Sequence, residues 1–416
     1  MERYNSPYEF AAFLVAALVS ILLFAGFTPA RWPQRFRHLV LVAAIAHVAG
    51  SVARMTIMLS WYGRGDFGRY FRAGLSLGDS YCGLLPLELG PGRLWGTPFV
   101  EKVSCVALLL VGPSLRAEFV VFSCFATVGL VLITVAALRA FDNVNRPRLA
   151  VLILFWPSLV FWPSSVGKEA LILLAVGLVV YGWCGTGTRS RVRWLPLGSG
   201  LALAMLIRPH IALMIGVALG VADWLAPLQR ITTTRIVRGI GLALVAAVVA
   251  ASAIQQLGVE AEQEALSEFI RDRSARTVQG GSRMEVSSGP AVVPMAFVNV
   301  LARPFLWEAH NPLAVLSAIE VLFFWWLIWR RRTDVWVMLQ RWRHNRFLLF
   351  IVPLTAVLIF FYGAFVSNMG ILARQRVIVL PFMFIIAEAA PAFRSHRHLL
   401  RTPRTRAALQ GAVHIP

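Results

Sequence analysis

The chain has 416 residues, of which 58% are hydrophobic and 14% charged. A soluble domain of that length cannot hide so much apolar surface, which excludes an ordinary water-soluble protein. The net charge is +20, carried almost wholly by arginine with only Lys102 and Lys168 as lysines, and the arginines cluster between apolar runs. That distribution follows the positive-inside rule, so the charge reads as membrane topology and not as a nucleic-acid footprint.

A bilayer span needs about 20 apolar residues. The first such run is Phe10 to Phe27. No basic cluster precedes it and no small-x-small cleavage site follows, so it reads as a retained helix and not a signal peptide. Arg31, Arg35 and Arg37 come next, then a second run that ends at Trp61-Tyr62-Gly63-Arg64-Gly65-Asp66-Phe67-Gly68-Arg69-Tyr70-Phe71-Arg72. A helix starting here puts Asp66 and Tyr70 on one face, with Arg69 and Arg72 near it. A carboxylate among arginines at a membrane surface suits an acceptor hydroxyl and an anionic leaving group. The same residues also suit a helix cap with interfacial Tyr and Arg anchors. Further on, Thr97-Pro98-Phe99 opens an apolar stretch that closes at Val111-Gly112-Pro113-Ser114. It is too short to span and reads as a helix lying in the interface. Cys82 and Cys105 fall in this same loop, where a disulfide between them is open. No CxxC pair exists, so a zinc site or redox motif is not expected.

Phe119 to Leu138 spans, followed by Arg139, Arg146 and Arg148. Trp156 and Trp162 fit an aromatic belt. The turn after them ends in Gly167-Lys168-Glu169, at the lip of the run Ala170 to Trp183. Glu169 sits in a first helical turn, where the dipole favours an anion whether or not it has a further role. After Arg189, Arg191 and Arg193 comes Arg208-Pro209-His210. This turn suits a phosphate, and equally an interfacial anchor. Arg230, Arg235 and Arg238 follow, then a long polar loop, the basic stretch from Arg330 to Arg346, and the span Phe347 to Phe365. Ala373-Arg374-Gln375-Arg376 precedes a last run and the basic residues from Arg394 to Arg406. Two arginines on the face opposite the other clusters cost about 1 kcal/mol or more unless they face a polar cavity or headgroups.

Holding all six arginine clusters on the cytoplasmic side gives an all-α, polytopic transmembrane bundle of about 11 helices, with its N-terminus outside and its C-terminus inside. Residues 1–395 read as a single transmembrane domain and 396–416 as a basic cytoplasmic tail. Two outside loops are long, at about 62–118 and 255–311. On this topology Gly280 lies outside and Arg331 inside, and Asp66, Glu169 and Arg376 are expected in one outward-facing pocket.

The order of these features resembles the C-type (GT-C) membrane glycosyltransferases. Asp66 matches their essential acid close to the membrane in the first outside loop. Phe67 to Leu77 and Thr97 to Ser114 look like the two juxtamembrane helices, and Lys168-Glu169 like the second acidic loop. Arg374-Gln375-Arg376 with Leu380-Pro381-Phe382 is similar to a late arginine-then-Leu-Pro segment. The likeness covers roughly Ala46 to Trp183 and Asn368 to Pro391. It departs at Gly65, where many members carry a second acid, and in placing the acidic loop after the second helix.

The resemblance implies transfer of a sugar from a polyprenyl-phosphate donor to a glycan, lipid or protein acceptor, at the outer face of the cytoplasmic membrane. It implies Asp66 and Glu169 as catalytic residues, with Asp66 as general base on the acceptor hydroxyl. The substrate-binding set would be Arg69, Tyr70, Arg72, Lys168, Arg208, His210, Arg374 and Arg376. A divalent metal, Mg or Mn, bridging Asp66 and Glu169 to the phosphate is open. Two other readings stand beside this one: a polymerase or ligase of lipid-linked polysaccharide, and a transporter or flippase of lipid-linked glycans. A transporter wants ionisable residues near mid-membrane. Here they are few, chiefly His47, Arg54, Glu320 and Glu388.

Overall fold

The computed structural model describes residues 6–30, 32–62, 65–77, 82, 94–141, 144–184, 192–225 and 291–399. Among these the architecture is helical throughout, with no β-strand. Five helices are long and apolar enough to cross a membrane: α1 (Pro7–Phe27), α2 (Gln34–Ile57, continued by a π-helical turn to Tyr62), α5 (Leu115–Ala140), α12 (Pro312–Arg330) and α14 (Arg346–Phe365). A sixth span forms if α15 (Met369–Gln375) and α16 (Leu380–Leu399) count together, since the segments Met369–Ile378 and Leu380–Ala389 meet at a 51° bend. The chain is therefore a membrane protein with five or six such spans among the described residues. Residues 255–290 of the second long loop, with Gly280, and most of the C-terminal tail lie outside them; the rest of that loop holds a short apolar helix, α11 (Val292–Ala302), and helix α16 continues into the segment expected as tail, as far as Leu399.

Two short helices are described in the connection after α2. Helices α3 (Asp66–Leu77) and α4 (Thr97–Val111) are both too short to span. Helix α3 buries Phe67, Tyr70, Phe71 and Gly74 on one stripe, the pattern of a helix half in an apolar environment. Ser104 of α4 donates to the Tyr70 carbonyl at 2.9 Å, and a Cys82–Cys105 disulfide ties the intervening chain to α4. Exposed apolar side chains run along α1 (Phe10, Leu14, Leu18, Leu22) and α12 (Leu316, Ile319, Phe323, Trp326). Water would penalise such stripes and lipid does not.

The centre of the bundle is α5 against α8 (Lys168–Trp183). Gly129 and Gly177 sit where the two backbones touch, and a Cβ on either would collide with the facing helix. Small residues are what let membrane helices approach this closely.

One interior stretch of helix is broken. Helices α6 (Arg146–Phe155) and α7 (Pro157–Phe161) are separated at Trp156–Pro157. A proline there removes an N–H and frees carbonyls upstream, which must find partners in a membrane interior. His47 Nε2 donates to the Leu154 carbonyl at 3.2 Å, and the Glu320 carboxylate accepts from Ser158 N–H at 2.7 Å and from the Ser158 hydroxyl. Both residues lie mid-helix, in α2 and α12, and both serve the break. Arg54, by contrast, lies in the last turn of α2, over the rings of Phe161 and Trp162. Glu388 lies near the middle of α16, 2.9 Å from Arg148 and 3.3 Å from Arg331, and is held by those two arginines.

Candidate functional site

Four segments distant in sequence meet at the end of the bundle where α3 and α8 begin. Glu169 occupies the first turn of α8 and its side chain is 1% exposed. Burial alone would push its carboxyl up, but the Arg374 and Arg208 guanidiniums outweigh that cost and hold it down at about 2. Its Oε2 accepts from Arg374 at 2.6 Å, and its Oε1 accepts from Arg208 at 2.8 Å and from the Gln375 amide at 3.0 Å. Arg208 also donates to the Gln375 carbonyl oxygen. Arg208 stands at the break between α9 (Trp194–Ile207) and α10 (Pro209–Leu225), where Pro209 interrupts the helix.

Arg374 does more than neutralise Glu169. Its second nitrogen donates to Asp66 Oδ2 at 3.2 Å, so one guanidinium spans the buried carboxylate and an acid whose side chain is 64% exposed. Asp66 is the first residue of α3, and Tyr70 lies one turn along it, buried. Burial and the nearby Asp66 and Glu169 charges push the Tyr70 phenol up to about 12, so it remains a hydrogen-bond donor at neutral pH. Lys168 donates to Thr97 Oγ1 at 3.0 Å, joining the start of α8 to the start of α4. Burial first, then the Arg208 charge, pushes its ammonium down. The result is a cationic floor of Arg208, Arg374 and Lys168, with one carboxylate exposed at its rim and one buried beneath.

The other expected residues are placed differently. Arg376 turns away: it donates to the Arg303 carbonyl, feels the Glu320 charge, and lines a small cavity with Trp156 and Leu380. The expected trio of Asp66, Glu169 and Arg376 is thus replaced, in its contacts, by Asp66, Glu169 and Arg374. Arg69 pairs with Glu101 at 3.0 Å on an exposed surface, and Arg72 is exposed. His210 stacks on Phe361 with ring centroids 5.1 Å apart. Gln375 and Thr97, which sequence reasoning does not select, complete the cluster. Neither carries a charge to draw attention, and only contact reveals them.

The donor set does not fit a divalent metal bridging the two acids. Both Glu169 oxygens already accept from cations or an amide, and a guanidinium stands between Glu169 and Asp66. Among the described residues no three His, Cys, Asp or Glu side chains group together as ligands. We derive no step through a metal. Compared with protein-family models, curated proteins and solved structures, the chain matches none of them.

Proposed function

We propose that this membrane protein is a glycosyltransferase that moves a sugar from a polyprenyl-phosphate donor to a glycan, lipid or protein acceptor at the outer face of the cytoplasmic membrane. The observation that carries the reading is the Asp66–Arg374–Glu169–Arg208 cluster, an exposed carboxylate set against a buried, fixed positive charge. Asp66 takes the proton of the acceptor hydroxyl as its oxygen bonds the anomeric carbon. The bond from that carbon to the lipid phosphate breaks, and the electron pair stays on the phosphate. Arg208, Arg374 and Lys168 stabilise the charge that develops there. Glu169 holds the two arginines in place; a carboxylate so fully paired makes a poor base.

The outward placement rests on two supports. One is the clustering of arginines at the opposite connections. The other is the Cys82–Cys105 disulfide beside the cluster, a bond that persists in oxidising compartments. The use of His47 and Glu320 to satisfy the Pro157 break favours an enzyme over a transporter, because the mid-helix ionisable groups already have structural duties.

The test is a membrane assay with a polyprenyl-phosphate-linked sugar and a glycan acceptor, comparing wild type with Asp66→Asn at equal expression. Loss of transfer with unchanged insertion supports the reading; near-normal turnover removes Asp66 as the base. The orientation is tested separately with a cysteine placed at position 331 in intact cells, where labelling by an impermeant reagent would refute it.

A further inference from the structure

At the other end of α2 lies a second pocket. The helical segment Gln34–Trp61 has 28 residues, so the two ends stand about 40 Å apart, roughly a bilayer's full thickness. Arg35 in the first turn of α2, Arg139 in the last turn of α5 and Arg146 at the start of α6 line a cavity of about 340 Å³ together with Trp32 and Phe36. Trp32 also lines a neighbouring cavity of about 320 Å³ running between α1 and α5, walled by Leu23, Phe24, Val128 and Leu132. The combined space has a cationic mouth and an apolar body.

Among the described residues, the charges at this mouth lack the carboxylate partners found elsewhere. Arg35 and Arg146 are exposed, and none of the three arginines pairs with a carboxylate among the described residues. Arg139 lies 4.9 Å over the Tyr181 ring, and its buried Nη1 has no hydrogen-bond acceptor among the described residues. The start of α2 has neither a side-chain cap nor an acid in its first turn; it carries Arg35 and Arg37 instead. Cations there oppose the helix dipole, which an anion would favour. In sequence the two connections hold Arg31, Arg35, Arg37, Arg139, Arg146 and Arg148 against Asp142 alone, and Arg148 is already engaged by Glu388.

We infer that this pocket binds an anionic glycerophospholipid, with its phosphate held by Arg35, Arg139, Arg146 and the α2 N-terminus and its acyl chains laid on either side of Trp32. A phosphate supplies the missing acceptors and the missing N-terminal anion in one group. The apolar body calls for chains and not for a free ion. The site is independent of the proposed sugar transfer and at the opposite end of the bundle.

The test uses the full-length protein purified in detergent and returned to nanodiscs. Native mass spectrometry and thermal melting are read with phosphatidylglycerol, with phosphatidylcholine and with soluble glycerol phosphate. Wild type should retain phosphatidylglycerol and melt higher with it than with phosphatidylcholine. Arg139→Gln with Arg146→Gln should weaken that binding at least about tenfold. Arg35→Gln, an exposed change that folding tolerates, should weaken it less but measurably. Arg332→Gln, on α13 (Arg332–Arg341) against Trp329, should leave it unchanged. Equal retention of the two lipids, glycerol phosphate binding as tightly as the whole lipid, no loss in either pocket variant, or an equal loss in Arg332→Gln would each overturn the assignment.

Discussion

Glu169 and Glu320 are both buried glutamates on helices of the same bundle, yet they answer to different demands. Glu320 accepts from the backbone and hydroxyl of Ser158, one residue past a proline break, and so completes a helix end. Glu169 accepts locally only from its own backbone N–H at the start of α8. Its partners Arg208, Arg374 and Gln375 come from two other segments, and through Arg374 it is joined to an exposed acid. A buried carboxylate is therefore no sign of function by itself. What distinguishes the two is whether removing the acid would chiefly strand a helix end or charged groups gathered from distant segments.

The comparison breaks most sharply at Asp66. Asp66→Asn keeps the shape and the capping ability of the side chain but cannot take a proton, so transfer should fall at least about 100-fold while melting temperature and expression stay at wild-type levels. Glu169→Gln should lower activity less, on the order of tenfold, and should cost about 3 kcal/mol of stability because the largely buried Arg208 loses its charge partner and Arg374 keeps only the exposed Asp66; thermal melting read beside the transfer assay separates the two effects. Glu320→Gln retains an oxygen to accept from Ser158, so its cost should be about 1 kcal/mol or less, with activity per folded molecule unchanged. A loss of turnover in that variant at full folding would erase the distinction between the two glutamates.

The smallest effect expected near neutrality is on pH. The Glu169 carboxyl is depressed from its ordinary value near 4.5 to about 2 in the folded protein. Its contribution is complete above the ordinary value and is lost as pH falls through about 2. Stability should therefore show no Glu169-dependent change between pH 8 and 5, and an acid-side loss below about 4 that Glu169→Gln lacks. Denaturation of both proteins across that range measures it.

Much of this is legible in the sequence, for physical reasons that differ from element to element. The runs from Phe10 to Phe27, Phe119 to Leu138 and Phe347 to Phe365 announce α1, α5 and α14, because a span must satisfy length and apolarity together. The shortness of Thr97 to Val111 likewise announces a helix that does not cross. Asp66, Lys168, Glu169, Arg208 and Arg374 stand out as charges at helix lips. Arg376 misleads because it sits two residues from Arg374. On a helix that offset is about 200°, so the two side chains point to opposite sides, and α15 passing into a tight turn at Arg376 preserves the divergence. Helical periodicity alone is enough to separate that pair. The duties of His47 and Glu320 are not legible in the same way, because the break they repair lies more than 100 residues from either.

The single guanidinium shared by Asp66 and Glu169 also bears on the order of events under the proposed chemistry. While Arg374 holds Asp66, the base is occupied and an acceptor hydroxyl arriving first gains nothing. A donor phosphate competes for Arg374, and in drawing it off frees the Asp66 oxygen at the moment the electrophile is in place. The arrangement thus ties readiness of the base to presence of the donor, which predicts compulsory-order kinetics with donor before acceptor. It also predicts slow hydrolysis of bound donor when the acceptor is scarce, because the freed carboxylate can then take a proton from water. Initial-rate patterns with both substrates varied would show it, and a random-order pattern would show that Arg374 is no latch.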